Sequence, residues 1–476
     1  MRAYFKRIEV VGLEHVPVDR GGILVSWHPN GMVDPGLILT HFPRVVVFGA
    51  RHGLFKVPVL GSLMSAVGSV PIYRAMDLRD LPAQERSAKN LGALDALAEQ
   101  VVQGNYSCLF PEGDSHDASY VTELKTGAAR FYYRARSLAG GQPPVIVPVG
   151  LHYDSKHAFR SKVLVAFHPP IEIPPELDLT PAEDEPVEHS KERARALTAE
   201  IERTLREVVH ATEDWELHHL MHRGRKLVRA ERAHRAGVDL SAPNMKERTL
   251  GFARIWSGYY ALKEQHPRLV DEVLERTREY DADLRALGLD DHELDRAPKL
   301  FSLTLVVLLL LQVLFVYLLL PPVLVLGGLI NGPTAGLVWG ASKLFAKRAK
   351  DEATIKLLGG LVAFPATWAA WGVAAAAFHR QMVELFPSLP DIPVLVGFVF
   401  AAMGLVGGAT LLRYQRLAME TWRALRVRLT RRQRRATIQR LRKERRRLCD
   451  LVEAMSEGLE LPGVVSRDGR VTFGDE

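Results

Sequence analysis

Cysteine is nearly absent from this chain of 476 residues: only Cys108 and Cys449 occur, far apart. That leaves no basis for a disulfide framework or for a four-ligand metal site built on cysteine. Cys108, inside the strand-like Ser107-Cys108-Leu109-Phe110, reads as a small core residue. The amino-terminal Met1-Arg2-Ala3-Tyr4-Phe5-Lys6-Arg7 lacks a long apolar stretch, so no cleavable secretory signal is expected and the first half of the chain is placed in the cytoplasm. Acids are scarce between Arg413 and Arg447, where Glu420 and Glu444 stand alone among many arginines. Nucleic acid would suit such a run. Beside a membrane segment, anionic lipid headgroups and cytoplasmic topology explain it more simply, so no nucleic-acid partner is expected.

What is present divides along the chain. The net charge is +7, modest for the length and concentrated in that run, and the length itself calls for about two or three structural units. Residues 20 to 175 alternate short apolar strands with helical patterns, the mark of an α/β unit with a mixed sheet flanked by helices. Leu91, Leu94, Leu97 and Val101 predict a helix from Ala83 that Gly104-Asn105 ends, delivering the chain into Cys108-Leu109-Phe110. Pro181 to Asp295 is charged and helical in pattern, and its His218-His219-x-x-His222 cluster is weighed as a metal site but read as structural or surface histidines. Leu300 to Leu320 is uncharged and long enough, at about 20 residues, to cross roughly 30 Å of hydrocarbon. Val323 to Leu344, Leu357 to Phe378 and Pro393 to Leu412 complete an all-α transmembrane region of about four spans. With four crossings, the Lys343-Lys356 loop and the Arg-rich tail both fall on the cytoplasmic side. The expected divisions are 1–180, a helical unit 181–298, a membrane region 299–412 and a cytoplasmic helix and tail 413–476.

Chemistry concentrates in four blocks. His28-Pro29-Asn30-Gly31-Met32-Val33-Asp34-Pro35 sets a histidine and an aspartate in a Gly/Pro-rich turn directly after the apolar Ile23-Leu24-Val25-Ser26-Trp27. A histidine held by a carboxylate can take a hydroxyl proton near neutral pH. Gly68-Ser69-Val70-Pro71-Ile72-Tyr73-Arg74 ends an apolar run on one arginine. Phe110-Pro111-Glu112-Gly113-Asp114-Ser115-His116-Asp117 follows, and then Val145-Ile146-Val147-Pro148-Val149-Gly150. In the order and rough spacing of these blocks, residues 20 to 175 resemble the glycerolipid acyltransferases of the HxxxxD type. The first and third blocks, with Ala50-Arg51-His52-Gly53-Leu54-Phe55 and Lys125-Thr126-Gly127-Ala128-Ala129-Arg130, look most like the glycerol-3-phosphate/dihydroxyacetone-phosphate acyltransferases of fungi and their bacterial relatives. Many lysophosphatidate acyltransferases read Phe-Pro-Glu-Gly-Thr-Arg-Ser in the third block, and the arginine of that pattern is missing here.

The resemblance implies His28 as general base with Asp34 fixing its tautomer, and direct attack of the substrate hydroxyl on a thioester without an acyl-enzyme. It makes Arg74 the leading phosphate ligand, Glu112 a ligand of glycerol hydroxyls or a holder of a cation such as Arg74, and Gly113 a possible oxyanion donor. Ser115, His116 and Lys125 complete the expected substrate-binding set; Arg130 could add charge, and Pro148 is expected to shape the acyl-chain wall. No metal or cofactor is expected; acyl-CoA or acyl-carrier protein enters as cosubstrate, and membrane lipids are partners. The expected activity is acyl transfer to the 1-hydroxyl of glycerol 3-phosphate or dihydroxyacetone phosphate by an integral protein of a bacterial inner membrane. Its rivals are 2-O-acylation of lysophosphatidate and a non-catalytic lipid-binding scaffold.

Overall fold

The computed structural model describes residues 1, 4–56, 60–66, 68–72, 83–156, 158–182, 185–240, 243–295, 321–346 and 349–472. The chain divides into two compact units, Met1–His219 with Pro243–Thr249, and Leu220–Ala242 with Leu250–Glu476.

The first unit is built on a sheet of seven strands: β1 (Arg7–Val11), β2 (Gly22–Ser26), β3 (Val46–Arg51), β4 (Val70–Ile72), β5 (Tyr106–Leu109), β6 (Val145–Tyr153) and β7 (Lys162–Phe167). Their order is β1-β7-β6-β2-β5-β3-β4. All neighbouring pairs run parallel except β6 and β7, so the sheet is mixed, as the sequence led one to expect. Every residue of β2 is buried, the pattern of a parallel strand covered on both faces. The helices of this unit include α1 (Val33–His41), α2 (His52–Phe55), α3 (Leu60–Ala66), α4 (Ala83–Val102), α5 (Gly127–Ala139) and α6 (Val187–Val209). In α4, Leu97 and Val101 turn inward as the periodicity required, and Gly104, left-handed at φ 89, ends the helix before β5. Leu197, Ile201 and Leu205 recur every four residues along α6 and are fully buried, forming one apolar stripe.

Register decides what the sheet brings together. Leu24 and Val25 of β2 lie opposite Cys108 and Leu109 of β5, and Val25 and Ser26 lie opposite Pro148 and Val149 of β6. The segments after β2 and β5 therefore leave the carboxyl edge side by side. That edge is where open α/β sheets place ligands. Cys108 is buried within β5, and burial raises its thiol above the usual range, consistent with a core residue.

The remaining elements are α7 (Trp215–Arg235), α8 (Met245–Lys263), α9 (Pro267–Leu287), α10 (Pro321–Phe345), α11 (Ala349–Leu385), α12 (Pro393–Gln433), α13 (Arg435–Met455) and a hairpin of β8 (Val464–Val465) and β9 (Val471–Thr472). Among the described residues three stretches are long and apolar enough to cross a membrane: Leu324–Phe345, Asp351–Leu385 and Pro393–Tyr414. Only 22%, 6% and 17% of an apolar 18-residue window in each is buried within the protein, so their apolar surface requires another covering medium. They match the second, third and fourth apolar segments expected from the sequence; the first, Leu300–Leu320, lies outside the described residues. Small residues let these helices approach closely: a Cβ on Gly327 would stand 2.6 Å from the Cα of Gly407. Asn331 joins them by polar bonds, donating to the carbonyls of Gly327 (2.9 Å) and Gly404 (2.8 Å) and accepting from Trp368 Nε1 (2.9 Å).

The second half of the arginine run packs partly into the protein. This segment, α13, buries Ile438, Leu441, Leu448 and Cys449 in a helical core with Leu227, Tyr280, Leu284 and Leu294. Several of its cations are paired within the protein. Arg445, fully buried, meets Glu231 at 3.0 Å and Asp295 at 2.8 Å, while Arg440 meets Asp283 at 2.5 Å. Net charge along the sequence could not reveal this, because the compensating acids come from distant helices.

Candidate active site

His28 follows β2 by two residues and is aimed by three contacts. Its Nδ1 lies 2.8 Å from Asp34 Oδ2. Its ring stacks on Phe110, centroids 4.1 Å apart and planes 18° off parallel. Its backbone N–H donates to Glu112 Oε2 at 2.7 Å. The side chain is 18% exposed, while Asp34 is completely buried in the first turn of α1. The motif after which the acyltransferase group is named has four intervening residues; here five separate His28 from Asp34. A turn through Asn30 and Gly31, with Gly31 left-handed at φ 50, closes the longer interval, and the Asn30 N–H donates to Asp34 Oδ2 at 2.7 Å. With Nδ1 given to Asp34, Nε2 is the nitrogen left to accept a proton.

Glu112 and His116 turn their polar atoms onto protein. Glu112 Oε1 accepts from His116 Nε2 (2.6 Å), the Thr122 N–H (2.9 Å) and the Thr122 hydroxyl (3.2 Å), and Oε2 takes the His28 N–H. His116 Nδ1 accepts the Ala118 N–H at 3.2 Å, which fixes Nε2 as the protonated donor to Glu112. The His116 N–H also donates to the His28 carbonyl at 3.0 Å. These bonds join the two loops at the carboxyl edge, and through them Glu112 and His116 brace the His28 backbone.

Gly113, at φ 77, continues this loop, and a Cβ there would come within 2.6 Å of Lys125 Nζ. Lys125 thus lies across the Pro-Glu-Gly turn, its backbone N–H donating to the Pro111 carbonyl at 2.9 Å. Ser115 is half-buried in the same loop. Arg130 is exposed one turn further along α5. Pro148 is a buried residue of β6 whose carbonyl accepts the His168 N–H at 3.0 Å. Arg74 lies outside the described residues. Among the described residues no group of three or more His, Cys, Asp or Glu side chains could hold a metal ion. In the His218-His219-His222 cluster, His219 Nδ1 turns back to the Trp215 carbonyl at 2.5 Å and His222 packs on Phe252, centroids 4.3 Å apart.

Residues 7–152, which contain His28, Asp34, Phe110, Glu112, His116 and Lys125, match the family model described as Acyltransferase. The chain carries an acyltransferase-family domain. Residues 247–460 match the model described as Glycerol-3-phosphate acyltransferase 2 C-terminal domain. Glycerol-3-phosphate O-acyltransferase 1 of Saccharomyces cerevisiae is 28% identical over 207 residues, 43% of this chain and 25% of that protein. Glycerol-3-phosphate O-acyltransferase 2 of the same yeast is 26% identical over 257 residues, 53% of this chain and 32% of that protein. The chain thus spans about a quarter to a third of the length of these relatives. The crystal structure of the 1-acyl-sn-glycerophosphate acyltransferase of Thermotoga maritima is 20% identical, with a TM-score of 0.27, covering 42% of this chain and 72% of that one.

Two residues beside the His28–Asp34 pair carried no assigned role in the sequence. Phe110 stood inside the third block as an apolar strand end. Tyr153, whose hydroxyl donates to Asp34 Oδ1, is 119 residues away from its partner. Only the β2–β6 register, which appears once the sheet is assembled, brings it there.

Proposed function

We propose that this chain is a membrane-bound O-acyltransferase that moves a fatty acyl group from a thioester to the 1-hydroxyl of glycerol 3-phosphate or dihydroxyacetone phosphate. The observation that carries the reading is the His28–Asp34 pair, 2.8 Å apart, with the ring clamped on Phe110 and a side chain still 18% exposed. His28 Nε2 takes the proton of the acceptor hydroxyl as its oxygen attacks the thioester carbonyl. Asp34 stabilises the imidazolium so formed. The tetrahedral intermediate then collapses, the C–S bond breaks, and the leaving thiolate recovers the proton from His28. Lys125 beside Gly113 supplies positive charge next to this turn, and Arg74 is proposed as its partner in holding the phosphate. Ser115 is proposed to contact the acceptor. Acyl-CoA and acyl-carrier protein are both acidic donors that fit this chemistry.

The apolar helices support a membrane-embedded second unit, and we place it in a bacterial inner membrane with the acyltransferase domain and carboxyl-terminal tail on the cytoplasmic side. The divisions at residues 180, 298 and 412 belong to the same proposal. The test is purified protein in detergent with labelled palmitoyl-CoA and, separately, glycerol 3-phosphate, dihydroxyacetone phosphate or lysophosphatidate. Product from either of the first two supports the reading. Product from lysophosphatidate alone moves the enzyme one acylation later, and lipid binding without product on any acceptor points to a scaffold.

A further inference from the structure

We propose that Tyr153 is a positioning residue of the acyl-transfer site, holding the Asp34 carboxylate so that His28 keeps one tautomer and one orientation. The inference rests on the acyltransferase reading and extends it to a residue outside all four sequence blocks. Asp34 is fully buried, and its two oxygens are held differently. Oδ2 takes His28 Nδ1 at 2.8 Å and the Asn30 N–H at 2.7 Å, both from the same turn. Oδ1 takes the Tyr153 hydroxyl from the far end of β6. With donors on Oδ2 alone, the carboxylate would remain free to swing about its Cβ–Cγ bond. A third donor, arriving from another strand, fixes the plane of the group.

The tyrosine is itself well placed for this. It is the last residue of β6, paired with Val163 of β7, so its backbone is part of the sheet. Its ring lies 6.1 Å from that of Phe5. Although the residue keeps some surface exposure, burial of its hydroxyl and the charge of Asp34 push the phenol well above its ordinary range. It therefore remains a donor at any working pH. The loop after it carries the same support: the Lys156 carbonyl accepts Asn30 Nδ2 at 3.0 Å, and Lys156 is ion-paired with Asp117. Among the described residues, the ionisable groups near His28 and Asp34 include Tyr153 from β6, Cys108 from β5, and Glu112 and His116 from the loop after β5; Tyr4 approaches Tyr153 from the amino-terminal segment.

The test is Tyr153→Phe in full-length protein in detergent, read in two independent ways. Steady-state kinetics should give a kcat lowered about tenfold with KM for acceptor and donor unchanged, since a transition-state alignment is lost and no substrate contact is. Carbethoxylation of His28, followed by mass spectrometry of its peptide across pH, should give a titration midpoint raised by about half a unit. A carboxylate relieved of one donor directs more charge at the imidazolium. Site-specific 3-fluorotyrosine at position 153, a stronger donor of nearly the same shape, should move that midpoint down. Wild-type kcat with an unmoved midpoint in both variants overturns the assignment, and so does a rise in KM alone. The labelling arm needs no turnover, so a protein inert on every acceptor would overturn the acyl-transfer reading while the midpoints still judge Tyr153.

Discussion

The backbone N–H of His28 and the Glu112 carboxylate meet at 2.7 Å across the carboxyl edge of two adjacent parallel strands. This bond makes the third sequence block a support for the first. Glu112→Gln would face an amide N–H₂ toward donors that now point at oxygens, leaving at least one buried donor unsatisfied at a cost of about 1–3 kcal/mol. The account predicts a kcat lowered about tenfold to a hundredfold with KM for the phosphate acceptor nearly unchanged, measured by initial-rate kinetics. A dominant rise in KM would instead place Glu112 on the substrate.

Gly113 is left-handed at φ 77 with Lys125 Nζ against its open side. Gly113→Ala adds about 1–2 kcal/mol of backbone strain and displaces the ammonium. The expected outcome is a raised KM for the phosphate acceptor with a smaller change in KM for the thioester. Equal changes in both would remove Lys125 from phosphate binding.

Four histidines of the first unit are held neutral by burial. His210 is lowered to about 3, His168 and His218 to about 4, and His152 well below its usual value, in each case first by desolvation. His152 and His210 face each other with centroids 5.5 Å apart. Their folded pKa values lie below the unfolded value of about 6.5, so the unfolded chain binds more protons as pH falls. Stability is full above about pH 6.5 and declines through the range down to pH 3–4. Melting curves between pH 4 and 8 should show this slope, and His210→Asn, which suits the left-handed φ of 52 at that position, should flatten it. An identical slope in the variant would contradict the assignment.

Arg445 is buried between Glu231 and Asp295 and donates to the Asp291 carbonyl at 2.6 Å. Arg445→Met removes one charge from between the buried Glu231 and the half-buried Asp295, which keep longer contacts to Arg235 (3.2 Å) and Arg442 (3.7 Å), a loss of about 3 kcal/mol. A marked fall in the apparent melting temperature is expected. An unchanged value would return α13 to the status of an exposed basic helix.

The sequence carried the His28–Asp34 pair because both members lie on one turn, where local spacing suffices. It also carried α4, since its apolar period and terminal glycine are local signals. The bonds of Glu112 were not legible, because its partners include a backbone N–H in the loop after another strand. Tyr153 was invisible for the same reason, its contact depending on the β2–β6 register. The pairing of Arg440 and Arg445 was not legible because their acids, Glu231, Asp283 and Asp295, come from elsewhere in the chain. The apolar segments after residue 320 were readable by length and hydrophobicity alone, whereas the Asn331–Trp368 bond between two of those helices required the packed structure.

The most direct test of the account compares wild type with His28→Ala for acyl transfer from palmitoyl-CoA to glycerol 3-phosphate, at matched folding and across pH. The account predicts lysophosphatidate from the wild type, with activity rising as a single group loses its proton, and a loss of at least about a hundredfold in the variant. Transfer by His28→Ala at the wild-type rate, with an unchanged pH profile, would contradict it.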